Sequence, residues 1–267
     1  MPIRRLPALL VSQIAAGEVI ERPASVVKEL IENAIDAEAT HVGVTIENGG
    51  QDLIGVTDDG LGIPFAELAL AVAPHATGKI ESAEDLKAIA TLGFRGEALA
   101  SIASVSRLSV VSRTPGAQEA GVIDVAGGSV GSPRPAAGPP GTTITVRTLF
   151  YNTPVRRRFL RTAATETGHV GHVVEKMALG HPEIGFALKS NGRQTLGLAA
   201  QDDRRSRVRE ILGRDLEGEL LELSIEDRGI GLWGMVGTPD IARPSTDARR
   251  IRETWGRLAK TFETRPT

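Results

Sequence analysis

The chain has 267 residues, with 31 Lys and Arg against 33 Asp and Glu, a net charge of −2 and a pI near 6.2. It is therefore not a broadly basic polyelectrolyte, and any nucleic-acid surface must be a local patch. The absence of cysteine removes disulfides, cysteine-based zinc clusters and thiol catalysis together, and suits a reducing cytosol. Aromatic residues make up 3% of the chain, leaving few stacking platforms for single-stranded nucleic acid. No apolar run reaches membrane-spanning length, and the opening "MPIRRLPALLVSQIAAGE" is too short and too interrupted at Pro7 for a secretory signal. The expectation is a soluble, cytoplasmic α/β protein without membrane contact. Its length allows one large domain or two ordinary ones.

In chain order, Ser12 caps a short helix through Val19, and Pro23 opens a helix that meets no further Pro or Gly before Ala37. Val42, Val44 and Ile46 alternate before Asn48-Gly49, and Leu53, Ile54 and Val56 resume, predicting a hairpin whose second strand ends at Asp58. Residues 64–73 read as helical, Ser82 caps a helix through Ala90, and a helix starts near Glu97. Strands are expected at 106–113, 121–126 and 142–148, with a long Gly/Pro loop before the last. Thr153-Pro154 starts a basic helix, and a hairpin turns at Asn191-Gly192. Charge density rises at "QDDRRSRVREILGRD", which places a domain boundary near residue 200.

The helix "KELIENAIDA" sets Val27, Leu30, Ile31 and Ala34 on one face and Ser25, Glu29, Asn33 and Asp36 on the other. A polar face is ordinarily a solvated one, but this one holds only short acceptor-type groups, with Lys28 and Glu32 at its flank. "TDDGLGIP" places Asp58 and Asp59 at a strand end before Gly60 and Gly62, which alone is consistent with a simple turn. It does not make a dinucleotide fingerprint, since Phe65 stands where a third Gly would fall. "HATGKI" is no P-loop, because Ala73 and Ile80 occupy the required Gly and Ser/Thr positions. In "LGFRGEALAS", Gly93, Arg95 and Gly96 before a helix N-terminus form either a phosphate cradle or an ordinary Gly-rich loop.

Taken together, these are the parts of an ATPase without a P-loop. Asn33 suffices as one protein ligand to Mg²⁺, which shares its shell with phosphate and water. Glu29, one turn away, is placed to orient and deprotonate the attacking water. Asp58 offers an acceptor for an exocyclic amine.

"ELIENAIDA", "DDGLGI", "HATGKI", "LGFRGEALASI", "GTTITV" and "LFYNTPVRRRFL" resemble, in order and spacing, the N-terminal ATPase region of the MutL family of DNA mismatch repair proteins. The helix motif and the Asp-x-Gly-x-Gly segment are shared with the wider Bergerat-fold superfamily. "GFRGEALASI" and "FYNTPVRRRFL" are specific to MutL-type chains. The resemblance is strong to about residue 200, weak over 201–243 and absent beyond.

The resemblance implies a two-layer α/β sandwich of Bergerat ATPase type over 1–200. A partial second α/β domain with a divergent tail would follow at 201–267. It implies Glu29 as the water-activating base, Asn33 as the Mg²⁺ ligand and Asp58 on the adenine amino group, with Gly62 letting the base approach the backbone. Thr77 and Thr143 match positions near the adenine and its bound water. Gly93, Phe94, Arg95, Gly96 and Leu99 belong to a lid over the triphosphate of ATP. Asp36 is as much a candidate for helix capping as for ligand contact, and Asp59 departs from the more usual Asn with a modest expected effect.

The implied activity is Mg-dependent ATP hydrolysis driving an N-terminal homodimer. That switch would couple the mismatch-recognition protein MutS to a downstream repair helicase or nuclease, with sequence-independent DNA contact. The alternative is a nucleotide-responsive DNA-binding scaffold that does not hydrolyse. Arg156, Arg157, Arg158 and Arg161, with Arg204, Arg205, Arg207 and Arg209, form basic clusters that are either DNA contacts or solvated faces. No nuclease motif and no γ-phosphate lysine is identifiable. Ile251, Trp255, Leu258 and Ala259 fall at helical spacing in the tail.

Overall fold

The structure is a computed structural model that describes residues 16–17, 20–78, 96–213, 220–227 and 230–237. The short helix expected through Val19, the helix capped by Ser82 and the tail beyond 243 lie wholly or largely outside these residues. Pro23 opens α1 (Pro23–Asp36), where the missing proline N–H would have had no partner within the helix. Glu38 in the left-handed region (φ 60°) ends it, and the Ala39 N–H returns to the Ala34 carbonyl at 3.1 Å. Val27, Leu30, Ile31 and Ala34 are buried, as their spacing predicts.

β1 (His41–Glu47) and β2 (Leu53–Asp58) pair antiparallel, joined through a 3₁₀ turn at Asn48–Gly50. A 3₁₀ turn at Phe65–Glu67 leads into the short α2 (Leu68–Ala71), and α3 spans Ala98–Ser104. β3 (Arg107–Arg113), β4 (Ala120–Ala126) and β7 (Gly141–Arg147) match the expected strands within a residue or so. Two short strands, β5 (Ser129–Val130) and β6 (Arg134–Ala136), pair with β4 inside the segment expected to be loop.

The basic helix α4 (Pro154–Phe159) ends at an extended Leu160, and an 18-residue helix, α5 (Ala163–Gly180), follows. Sequence inspection did not single out α5, although Thr162 caps it by accepting the Thr165 N–H. β8 (Gly185–Ser190) and β9 (Arg193–Leu198) form the second hairpin, and α6 (Arg204–Leu212) follows.

The main sheet runs β5-β4-β3-β7-β2-β1-β8-β9, antiparallel except for the parallel β1/β8 pair. Alternation puts Val44, Val56, Ile144 and Val110 in one buried cross-strand row, and Ile46, Ile54, Val146 and Leu108 in the next. The helices cover this face, with α1 against α5 and Val170, Val174 and Ala178 joining the same core. Truncating one such residue, Leu30→Ala for instance, would cost about 2–5 kcal/mol. The other face carries Thr45, Thr57 and Thr143, which remain partly or fully accessible. This is the two-layer α/β arrangement expected. Beyond it, β10 (Leu220–Asp227) and β11 (Ile230–Gly237) form a separate antiparallel pair. Leu220 and Met235 of this pair pack with Val208 of α6 and Leu179 of α5.

Candidate functional site

Beyond the two apolar rows, the third row of the sheet reads Val42, Asp58, Thr142, Ser112. Three polar side chains thus occupy positions that the pleat turns toward the helices. They are satisfied by each other and by nearby backbone. Asp58 Oδ1 accepts the N–H groups of Gly60 at 3.0 Å and Thr142 at 3.2 Å. Ser112 Oγ accepts the Ile63 N–H at 2.7 Å and donates to the Gly141 carbonyl at 3.1 Å. The Ser112 and Thr142 hydroxyls share a further hydrogen bond at 2.9 Å. Burial pushes the Asp58 carboxyl above its ordinary value, against the two N–H bonds that pull it down.

Over this row lies a cavity of about 870 Å³, a volume that suits a nucleotide-sized ligand. Val56 and Ile144 floor it, and α1 forms a wall with Glu29, Asn33 and Asp36. Three of the four residues on the polar face read from the sequence therefore line a pocket, and Ser25 is not among them. Lys28 and Glu32, expected at its flank, line the pocket too. Lys28 Nζ lies 2.6 Å from both Glu32 carboxylate oxygens and 3.6 Å from Glu29 Oε1. Burial raises the Glu32 pKa, the Lys28 bond opposes that, and the charges of Glu29 and Asp36 add to it.

Gly62 and Thr77 line the cavity, as do Gly96 and Leu99. Gly62 has φ +69°, and a Cβ there would overlap the Arg113 carbonyl. Its requirement for glycine thus comes from the packing of one backbone on another, whatever ligand approaches. Gly96 (φ +61°) is pressed in the same way against the Ala76 carbonyl, which brings the Thr77 loop beside the start of α3. His75 and Glu97 bridge the same two segments at 3.0 Å. Gly93, Phe94 and Arg95 lie outside the described residues.

Thr143 is not brought to the pocket. Its hydroxyl lies 3.2 Å from that of Thr57 on the opposite face of the sheet, and Thr142 takes the pocket position. The signal was present in the sequence: Thr142, Ile144 and Val146 share a face at period two, and Thr143 alternates away. Asp59 also turns from the pocket. Its Oδ1 accepts the backbone N–H groups of Thr40 and His41, each at 2.8 Å, and its Oδ2 accepts from the Thr40 hydroxyl at 2.6 Å. Burial disfavours the charge, but these bonds and the contact with the His41 ring outweigh it and hold the pKa at about 2.

The basic clusters divide. Arg157, Arg158 and Arg161 are exposed, whereas the Arg156 guanidinium fills the space a side chain at Gly17 would need. Arg207 is fully buried, its Nη2 donating to the carbonyls of Pro182, Ile184 and Ala199 at 2.7–3.0 Å. It is an internal staple, so neither the DNA-contact nor the solvated-face reading applies to it.

The donor set fits a hard cation. Among the described residues no three His, Asp or Glu side chains converge to cage a metal. The pocket wall nonetheless supplies oxygen donors suited to an ion that takes one or two protein ligands and completes its shell with phosphate and water.

The profile of the "Histidine kinase-, DNA gyrase B-, and HSP90-like ATPase" family matches residues 20–127. The chain is 49% identical over 256 residues to the DNA mismatch repair protein MutL of Paramagnetospirillum magneticum, covering 94% of this chain and 42% of that protein. A match of that extent runs past residue 243, where the sequence resemblance was expected to end. The MutL of Desulforudis audaxviator is also 49% identical, over 244 residues. The chain thus spans about two fifths of the length of these relatives.

Among solved structures, the Aquifex aeolicus MutL ATPase domain complexed with ADP shares 37% identity at a TM-score of 0.64, over 82% of this chain and 78% of that one. The N-terminal domain of a DNA repair protein aligns at 0.73 with 26% identity, over 89% and 74%. The chain belongs to the MutL family, of which it carries the N-terminal ATPase region.

Proposed function

We propose that this chain binds Mg·ATP in the α1–β2 pocket and hydrolyses it slowly, as the nucleotide switch of a mismatch repair protein. The observation that carries this reading is the half-buried Asp58 carboxylate, whose two backbone bonds both fall on Oδ1. Its second oxygen is left for an adenine amino group, opposite a helix wall bearing Glu29 and Asn33. Asp58 reads the base, and Thr142 and Gly62 flank it. Asn33 would hold magnesium, which would supply positive charge to neutralise the phosphate oxygens. Glu29 orients a water toward the γ-phosphate and takes its proton as the water oxygen bonds to phosphorus and the bond from phosphorus to the β–γ bridging oxygen breaks, giving phosphate and ADP. Gly96 and Leu99, on the cavity lining, cover the triphosphate, and the nucleotide-binding domain ends near residue 200.

ATP binding promotes pairing of two N-terminal regions and presents the dimer to MutS and to a downstream helicase or nuclease. DNA is contacted through phosphates, without sequence preference, by the exposed arginines of α4 and its C-terminal flank. The Aquifex relative complexed with ADP supports the nucleotide assignment.

Phosphate release from the purified chain with and without Mg²⁺ is the test. Glu29→Ala is expected to keep Mg·ATP affinity within a few-fold and lose turnover, because a general base acts mainly in the transition state. Asp58→Ala is expected to weaken ATP and ADP alike. Loss of all nucleotide binding in Glu29→Ala, with normal binding in Asp58→Ala, would overturn the assignment.

A further inference from the structure

The cavity wall carries six carboxylates: Glu29, Glu32 and Asp36 on α1, with Asp58, Glu67 and Glu97 facing them from β2, the Phe65–Glu67 turn and the start of α3. Among the described residues, Lys28 is the only basic side chain lining it. Residues adjacent in a helix do not normally face each other, so a Lys28–Glu29 contact needs a cause. Glu32, four residues on, provides it by gripping the ammonium with both oxygens at 2.6 Å, drawing Nζ across the helix to 3.6 Å from Glu29. The pair is half a surface salt bridge: the Lys28 side chain is 47% exposed, whereas that of Glu32 is 12% exposed at the pocket wall.

We propose that Lys28 is a positioning residue for the Glu29 carboxylate, held to that task by Glu32; this rests on the ATPase reading above. Its ammonium, 3.6 Å from Glu29 Oε1, restricts the rotamers from which Glu29 reaches a water. Lys28 acts through Glu29 and touches no reacting atom.

The test uses the whole chain with Lys28→Met, Lys28→Arg and Glu32→Gln. Without nucleotide, the rotamer populations of the Glu29 side chain are read by NMR from its three-bond couplings. Lys28→Met is expected to spread Glu29 over several rotamers, and Lys28→Arg to leave its preference nearly in place. In single-turnover hydrolysis, Lys28→Met is expected to slow the chemical step by roughly tenfold, with the Kd for ATP and ADP changed less than about threefold. Lys28→Arg recovers most of that rate, and Glu32→Gln shows the same pattern more weakly.

An unchanged Glu29 rotamer distribution in Lys28→Met overturns the proposal, and so does a loss of nucleotide affinity that parallels the loss of rate. Glu29→Ala is the control for the underlying reading. Hydrolysis undiminished in that variant, or absent from the parent chain, would sink the ATPase mechanism, while the NMR couplings still decide whether Lys28 positions Glu29.

Discussion

The Thr142 amide donates to Asp58 Oδ1 across 3.2 Å, joining neighbouring strand ends through a half-buried carboxylate in the pocket row. That carboxylate is costly where it stands. A carboxyl with a raised folded-state pKa is uncharged and cost-free below the unfolded value near 3.8. Its penalty is complete once the pH exceeds the folded pKa. Asp58→Asn retains an acceptor for the Gly60 and Thr142 N–H groups and removes the charge. The ligand-free variant is expected to melt higher than the parent at pH 7, with the advantage gone below about pH 4. Its affinity for ATP and ADP is expected to fall roughly 10- to 100-fold, the scale of a hydrogen bond to a charged group. Thermal melts at both pH values, with and without ADP, check both halves.

Asp59 behaves in the opposite sense. Its folded pKa is depressed to about 2, so its contribution is present above the unfolded value and lost as the pH falls through about 2. Asp59→Ala releases the clamp on the start of β1 and is expected to cost roughly 1 kcal/mol at neutral pH, as for loss of a capping side chain. Nucleotide affinity should change little. Asp59→Asn keeps the Oδ1 acceptor and is expected to cost less. Urea melts at pH 7 and pH 3 with a nucleotide titration are the measurements. A large affinity loss in Asp59→Ala would place this residue in the ligand site.

Gly62→Ala is expected to destabilise the chain by about 1–3 kcal/mol, since it combines a positive φ with overlap on the Arg113 carbonyl. The stability loss should be visible by thermal melting without any nucleotide. An unchanged melting temperature with weakened ADP binding would mean that glycine is required by the ligand alone.

The arginines separate into two groups by salt dependence. Charge reversal at Arg157, Arg158 and Arg161, which are exposed, is expected to flatten the slope of log affinity for duplex DNA against log salt. Arg207→Met strands three carbonyls that now share its Nη2 donor, and is expected to cost about 2–4 kcal/mol of stability with that slope unaltered. Fluorescence anisotropy at several salt concentrations, paired with denaturant melts, distinguishes these outcomes.

Local information in the chain was enough for most of the elements. Alternation of Val42, Val44 and Ile46, the Pro23 start of α1 and the turn at Asn191-Gly192 are short-range signals that the backbone follows wherever it lies. The polar face of α1 was equally legible, since helical spacing alone aligns Glu29, Asn33 and Asp36. Other features depended on what lay across space. Whether that face met solvent or a pocket was decided by the sheet row of Asp58, Thr142 and Ser112, which comes from three strands distant in sequence. Arg207 reads as a surface charge because its partners, the carbonyls of Pro182, Ile184 and Ala199, are backbone groups that no side-chain pattern records. Lys28 reads as a flanking charge for a related reason: its direction is set by the grip of Glu32, and Glu32 is held at a wall that exists only once α1 lies over the sheet. Sequence periodicity determined which residues share a face, because backbone geometry is local. The tertiary structure decided what each face meets, because burial and charge pairing depend on segments that only folding brings together.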